Sequence, residues 1–328
     1  MRLCGGVLHE SRMHRRHAES FCMKERGMSI IDFKILQKED KPLLDCFFRA
    51  RYYENSHFNF TNFYMWHEPY KIMWAKEDDV LYMKAEWEGS EFAMQPFGPQ
   101  EKLPAAVGCF IDYFKAQGKP VRFSGIERSF ADLLENYEGA DFAVEADRKN
   151  FDYVYLAEDL MKLAGRKFHS KKNHLNSFRK NYPEAEYQSI TDEIVTQCKL
   201  TINGWYKQRA HEVPDDPFIA LERQAIIEVL NNFKDFRLKG GAILIGQRVV
   251  AFTFGEQLND DTAVIHVEKA DPEVRGAYPA INQAFVEHEW ADMTYINREE
   301  DMGIEGLRQA KESYKPVKLI EKFNAWVR

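Results

Sequence analysis

Paired cysteines are missing from this chain. The five present, Cys4, Cys22, Cys46, Cys109 and Cys198, are odd in number and scattered, and none forms a Cys-x-x-Cys pair. That argues against a disulfide framework and a zinc site, and it fits a reducing compartment, the cytoplasm. The ten histidines contain no His-Glu-x-x-His spacing, so no metal is implied. No stretch approaches the roughly 18 apolar residues that a spanning helix needs, so no integral membrane segment is expected. Leu3–Leu8 is too short and too glycine-rich for the core of a secretion signal. Positive charge is in the minority, 45 Lys and Arg against 52 Asp and Glu, which excludes a generally basic nucleic-acid coat. Apolar residues are not scarce. At 45% apolar and 14% aromatic, 328 residues can bury about two cores of ordinary size.

The first 27 residues differ from the rest. Arg2, Arg12, Arg15, Arg16, Lys24 and Arg26 face only Glu10, Glu19 and Glu25, so residues 1–27 read as a disordered extension or an upstream start, in preference to a functional basic arm, and the remainder carries about −10. From Met28 the pattern predicts a strand (31–36), a helix (40–53) and a three-strand meander (70–76, 80–87, 91–95). A helix (103–117), a strand (121–124), a helix (129–136) and two strands (141–146, 151–156) follow. Asp78-Asp79 and Glu88-Gly89-Ser90 supply hairpin turn chemistry. The second half predicts the same order: a strand at 184–190, helices at 192–208 and 218–233, and a meander at 236–245, 249–257 and 263–269. A helix (278–290), a strand (293–297), a helix (304–313) and a strand (317–323) close it. No identity repeats between the halves. A meander followed by a β-α-β crossover predicts a mixed α/β sheet with helices on both faces. The order is similar to that of the acyl-CoA N-acyltransferase (GNAT) fold, in two tandem copies: domain 28–156, a basic linker helix within 157–183, and domain 184–328.

Three segments could carry chemistry. Gly165–Pro183 holds Arg166, Lys167, Lys171, Lys172, Arg179 and Lys180 with no acid. It reads either as a solvated linker helix or as a face for the phosphates of a nucleic acid or a nucleotide cofactor. Val264–Phe285 runs from a strand through Arg275-Gly276-Ala277 into a helix, a junction whose free N–H groups suit a pyrophosphate or carboxylate. Glu268 there is a candidate general base or a salt-bridge partner of Lys269 or Arg275. In Tyr295–Pro316 a strand delivers Asn297, Arg298, Glu299, Glu300 and Asp301 into a loop, and Arg308 and Lys311 share a face of the next helix. Asp301, Arg308 and Lys311 are expected to converge near Glu268, with Arg308→Ala costing little stability. A dense aromatic run, Tyr52 to Tyr70 with Asn55, Asn59 and Asn62, reads as core or as an acceptor pocket.

The run N-R-E-E-D-M-G-I-E-G-L-R-Q-A-K-E-S-Y-K-P resembles the C-terminal catalytic domain of bacterial phosphatidylglycerol lysyltransferases, and a family of uncharacterised soluble proteins grouped with it. The resemblance extends through H-V-E-K-A-D-P-E-V-R-G-A-Y-P-A-I-N-Q and the basic segment, over most of 28–328. It implies a tandem GNAT fold and transfer of an aminoacyl group from aminoacyl-tRNA to an acceptor amine or hydroxyl of a lipid, peptide or small molecule. Fem-type aminoacyltransferases share that plan. By motif, Glu268, Asp301, Arg308 and Lys311 would be catalytic. Lys269, Arg275, Gly276, Asn297 and Tyr314 would bind substrate, and Arg166, Lys167, Lys171, Lys172 and Arg179 the donor's phosphates. No covalently bound cofactor is implied. The long membrane domain of the lysyltransferases has no counterpart here, which leaves the acceptor open, as is the oligomeric state. An acyl-CoA-dependent N-acetyltransferase is the alternative donor chemistry, and a non-catalytic binding relative the alternative class.

Overall fold

Two-residue turns close three of the four hairpins of the two meanders. A computed structural model describes residues 31–212 and 217–328, so the extension 1–27 lies outside the described residues. The strands are β1 (Lys34–Ile35), β2 (Met73–Glu77), β3 (Val80–Trp87), β4 (Ser90–Ala93), β5 (Arg122–Ile126), β6 (Phe142–Ala146) and β7 (Asp152–Leu156). They continue as β8 (Ala185–Ser189), β9 (Lys239–Ile245), β10 (Arg248–Gln257), β11 (Thr262–Ala270), β12 (Tyr295–Asn297), β13 (Lys318–Ile320) and β14 (Phe323–Val327). Trp87 pairs with Ser90 around Glu88-Gly89, both at positive φ, and Ile245 pairs with Arg248 around Gly246-Gln247. Left-handed backbone at Gly89 and Gly246 matches the twist of such hairpins. The helices are α1 (Lys41–Phe48), α2 (Phe60–Met65), α3 (Leu103–Ala116), α4 (Arg128–Glu135), α5 (Ala157–Lys162) and α6 (His169–Asn181). α7 (Asp192–Glu212), α8 (Pro217–Asn231), α9 (Ala277–Glu289) and α10 (Glu305–Glu312) complete them.

The class is the expected one, α/β with two mixed sheets. One sheet has the order β1-β2-β3-β4-β5-β14-β6, the other β13-β7-β12-β11-β10-β9-β8. Each contains a parallel pair, β4 with β5 and β11 with β12, beside antiparallel neighbours.

The chain is not divided at one linear boundary. One compact unit takes residues 31–35, 72–145 and 324–328, and the other takes 36–71 and 146–323. β7, expected to close the first domain, lies between β12 and β13. Tyr153, Val154 and Tyr155 are buried in succession, as suits a strand covered on both faces. β14, at the end of the chain, enters the first sheet between β5 and β6. Residues 157–183 are not a linker. Leu160, Leu163, Phe168, Leu175 and Phe178 join the second unit's core with Ile281 and Phe285 of α9, so apolar burial fixes this segment. The aromatic run also belongs to this second unit. Phe58, Phe60 and Phe63 are buried, and Phe60 and Tyr64 meet Phe236 edge-on, so these rings are core. Cys46 is exposed and Cys198 buried.

Candidate active site

The site begins where two parallel strands part. β12 pairs with β11 only from Thr262 to Val264, whereas β11 runs on to Ala270 with β10 on its other side. Opposite Gly255 the register of β10 and β11 shifts. Phe254 faces Val267 and Gly255 faces Ile265, so His266 is an extra, unpaired residue. A Cβ at Gly255 would stand 2.0 Å from the Val264 carbonyl oxygen, so this bulge requires glycine. Bulges of this kind re-aim side chains. Here Glu268 turns toward α9 and the loop after β12, and Lys269 turns the other way.

Glu268 accepts from Arg298 Nη2 at 2.9 Å and from Asn282 Nδ2 at 2.9 Å. The Arg298 guanidinium lies over the rings of Tyr314 (4.8 Å) and Tyr155 (5.6 Å), while its Nη1 is buried without a hydrogen-bond partner among the described residues. Lys171 Nζ sits 4.3 Å over the Tyr314 ring, and burial, then the nearby Arg298 charge, lowers its pKa. Lys311 is buried and donates from Nζ to the carbonyl oxygens of Arg298 and Glu299. Burial and then Arg298 push its ammonium down to about 8. Glu299, at φ 57, adopts left-handed backbone that costs a non-glycine residue on the order of 1 kcal/mol. Those Lys311 bonds, and Asn297 Oδ1 accepting from the Glu299 N–H at 2.8 Å, hold the strained turn.

Behind the turn, His266 Nδ1 lies 2.9 Å from Glu299 Oε1, and Nε2 3.2 Å from Glu256 Oε1. Two carboxylates on two ring nitrogens call for the imidazolium form. Burial alone would lower this pKa, but the hydrogen bonds to Glu256 and Glu299 raise it to about 9.

Asp301 forms a separate cluster. Its fully buried carboxylate accepts from Arg308 Nε at 2.8 Å and Nη2 at 3.1 Å, Arg148 Nη1 at 3.1 Å and Tyr153 O–H at 2.7 Å. Burial alone would raise its pKa. Hydrogen bonds from Arg308, Tyr153 and the Gly303 N–H overcome that and hold it at about 2.

The expected residues therefore divide. Glu268, Tyr314, Lys171 and Lys311 gather at the parting of β11 and β12. Asp301 and Arg308 pair with each other instead of converging with Glu268. Arg308 is one of the donors that neutralise a buried carboxylate, so its removal touches stability, contrary to the sequence expectation. Lys269 pairs with Glu222 at 2.6 Å on the opposite face. Asn297 is fully buried, bonded to the Glu54 carbonyl and to Asp152. Gly276 is at φ 89, and a Cβ there would stand 2.7 Å from the His174 carbonyl oxygen and 2.9 Å from Phe178 Cβ. Its smallness thus serves the α6–α9 contact. Lys167 pairs with Asp159, Arg179 with Gln283, and Arg166, Lys172 and Arg275 are exposed. Sequence reasoning does not single out His266, Asn282 or Tyr155, and leaves Arg298 without a role. The one local signal is a histidine two residues before Glu268.

A family model described as "Phosphatidylglycerol lysyltransferase, C-terminal" matches residues 49–326. The chain belongs to that acyltransferase family. A crystal structure of a conserved protein of unknown function from Bacteroides thetaiotaomicron is 34% identical with a TM-score of 0.84, covering 91% of this chain and 100% of that one. The lysylphosphatidylglycerol synthetase structure from Bacillus licheniformis is 14% identical with a TM-score of 0.62, over 90% and 94% of the chains. A crystal structure described as the "C-terminal Domain (DUF2156) of Putative Lysylphosphatidylglycerol Synthetase" from Agrobacterium fabrum is 13% identical with a TM-score of 0.62, over 88% and 91%. Those two share the fold, an arrangement of two mixed sheets. Among the described residues, no helix is long and apolar enough to cross a membrane, and no group of three or more His, Cys, Asp or Glu could hold a metal ion.

Proposed function

We propose that this chain transfers an aminoacyl group from aminoacyl-tRNA to an acceptor amine or hydroxyl, with the parting of β11 and β12 as the reaction site. The observation that carries the reading is the Arg298 guanidinium, aimed by Glu268 and two aromatic rings, with its Nη1 buried and unpartnered among the described residues. A preorganised donor of this kind stabilises charge that develops during reaction better than water does. The acceptor nitrogen or oxygen attacks the ester carbonyl, and Arg298 Nη1 and Lys171 receive the oxyanion. The carbon–oxygen bond to the ribose then breaks, and the nucleophile's proton passes to the departing ribose oxygen. Lys311, Asn297 and His266 hold the Arg298–Glu299 turn, and Asp301 with Arg308 anchors its far end. Exposed Arg166 and Lys172 beside Lys171 extend the positive face toward the donor's phosphates.

The test is a binding screen of charged tRNA pools beside acetyl-CoA and longer acyl-CoAs. Saturable tRNA binding is expected, weakened in Arg166→Ala/Lys171→Ala/Lys172→Ala, with the salt slope flattened by roughly 0.7–0.9 log units for each phosphate left unneutralised. Saturable CoA binding without tRNA binding overturns the donor assignment.

A further inference from the structure

Charge at the parting of β11 and β12 bears on which group can be transferred there. Lys171 is half-buried with Nζ over the Tyr314 ring, yet among the described residues it donates no hydrogen bond and pairs with no acid. The Arg298 guanidinium lies over the same ring. The ring face attracts both cations, which repel one another. The charges acting on Lys171 are those of Arg298 and Glu268, and burial and then Arg298 outweigh Glu268 and lower its pKa. Both Glu268 oxygens already accept, one from Arg298 and one from Asn282. The three acids that follow Arg298 turn to other cations: Glu299 to His266, Glu300 to His57 and Lys322, Asp301 to Arg148 and Arg308. The Arg298 and Glu268 side chains keep 13% and 12% of their surface exposed, so a ligand at this face meets them together with Lys171. Two cations there stand against one carboxylate.

With the ester carbonyl at Lys171 and Arg298, the α-amino group and side chain of the aminoacyl residue lie a few bonds from both cations. Glu268 can balance one ammonium, the α-amino group that every aminoacyl ester carries. A second ammonium or a guanidinium, at the end of a lysyl or arginyl side chain, meets like charge, which costs more in a half-buried site than in water. We infer that the transferred aminoacyl group carries no positive charge on its side chain, and that Lys171 is the residue that excludes one. This rests on the aminoacyl-tRNA reading above and specifies its substrate. The family's description names lysine, and the charge on this face does not suit it.

The probes are two forms of one tRNA, carrying lysine or its uncharged analogue norleucine through a stable amide at the 3′ end, so that binding is read without transfer. Both are titrated into the full chain at one fixed salt concentration. Norleucyl-tRNA should bind roughly tenfold or more tightly than lysyl-tRNA, since the two differ only in the terminal charge. Lys171→Met keeps the apolar stem and removes the charge, so it should close most of that gap even though it weakens both complexes. Lys171→Arg keeps the charge and should keep the gap. Lysyl-tRNA binding as tightly as norleucyl-tRNA, or more tightly, overturns the inference while leaving the aminoacyl-tRNA reading in place. A gap that survives Lys171→Met overturns Lys171 as its source. Absence of saturable binding by either tRNA overturns the aminoacyl-tRNA reading, and this inference with it.

Discussion

A single histidine illustrates how position in a strand decides chemistry. His266 would be an ordinary strand residue if β11 alternated regularly. The bulge opposite Gly255 instead sends its ring between Glu256 and Glu299. Its folded pKa, about 9, lies above the unfolded value near 6.5. The stabilisation is therefore complete below about pH 6.5 and is lost as pH rises through 9, on the order of 1–3 kcal/mol. Lys311 acts oppositely. Its folded pKa of about 8 lies below the usual lysine value, so between about pH 8 and 10.4 it makes stability rise with pH. The clean window is pH 6.5 to 8. There the thermal midpoint of the wild type should fall with pH, and that of His266→Gln should be lower but flat. An equally steep fall in the variant would show that His266 is not the charged partner of the two glutamates. The sequence holds no sign of this triad, because its members stand at 256, 266 and 299 and only strand register joins them.

At the scale of elements, the sequence speaks clearly wherever the governing physics is local. Glu88-Gly89 and Gly246-Gln247 are legible as turns because left-handed backbone has a chemical signature. Helices α3 and α9 are legible from apolar spacing, and Tyr314, Glu268 and Lys311 from a motif. What α6 packs against is not legible, since Leu175 and Phe178 fit a solvated amphipathic helix as well as a buried one. Gly276 matters for a different reason from the one its motif suggests. The motif suggests room for a ligand, whereas the glycine makes room for the backbone of α6. Gly276→Ala must strain a φ of 89 and push against the His174 carbonyl, so it should destabilise by at least about 2 kcal/mol. Gly204→Ala is the contrast. That glycine lies inside α7 with nothing within 4 Å of a Cβ, so alanine there should stabilise by about 1 kcal/mol. Urea titration of both variants measures the pair. Equal and small effects would mean that α6 does not press on the start of α9.

For the whole molecule, the informative feature is that each sheet completes itself with a strand from far along the chain. β7 comes from the middle of the sequence and sits inside the second sheet, and β14 comes from its end and sits inside the first. Pairings this distant leave no trace in local pattern, which is why element order alone suggests two consecutive domains. The consequence is a prediction about the last five residues. In the first unit, Ser124 donates to Asn324 at 2.7 Å, the Val327 N–H to the Val121 carbonyl, and the Arg328 N–H to the Asp141 carbonyl. Ala325 is 1% exposed between β5 and β6. Deleting Asn324–Arg328 therefore takes a strand from the interior of a seven-stranded sheet, separating β6 from β5 and baring unpaired backbone on both. The second sheet keeps all of its strands, and Lys322, the residue just before β14, stays buried against Asp152 at 2.7 Å. Local stability should thus fall in one sheet alone. In hydrogen–deuterium exchange, peptides from 121–146 of the truncated chain should exchange far faster than in the full chain, while those from 239–270 keep their protection. Unchanged exchange in 121–146 would show that β14 is dispensable to its sheet. Equal loss in both regions would show that the two sheets fold as one cooperative unit.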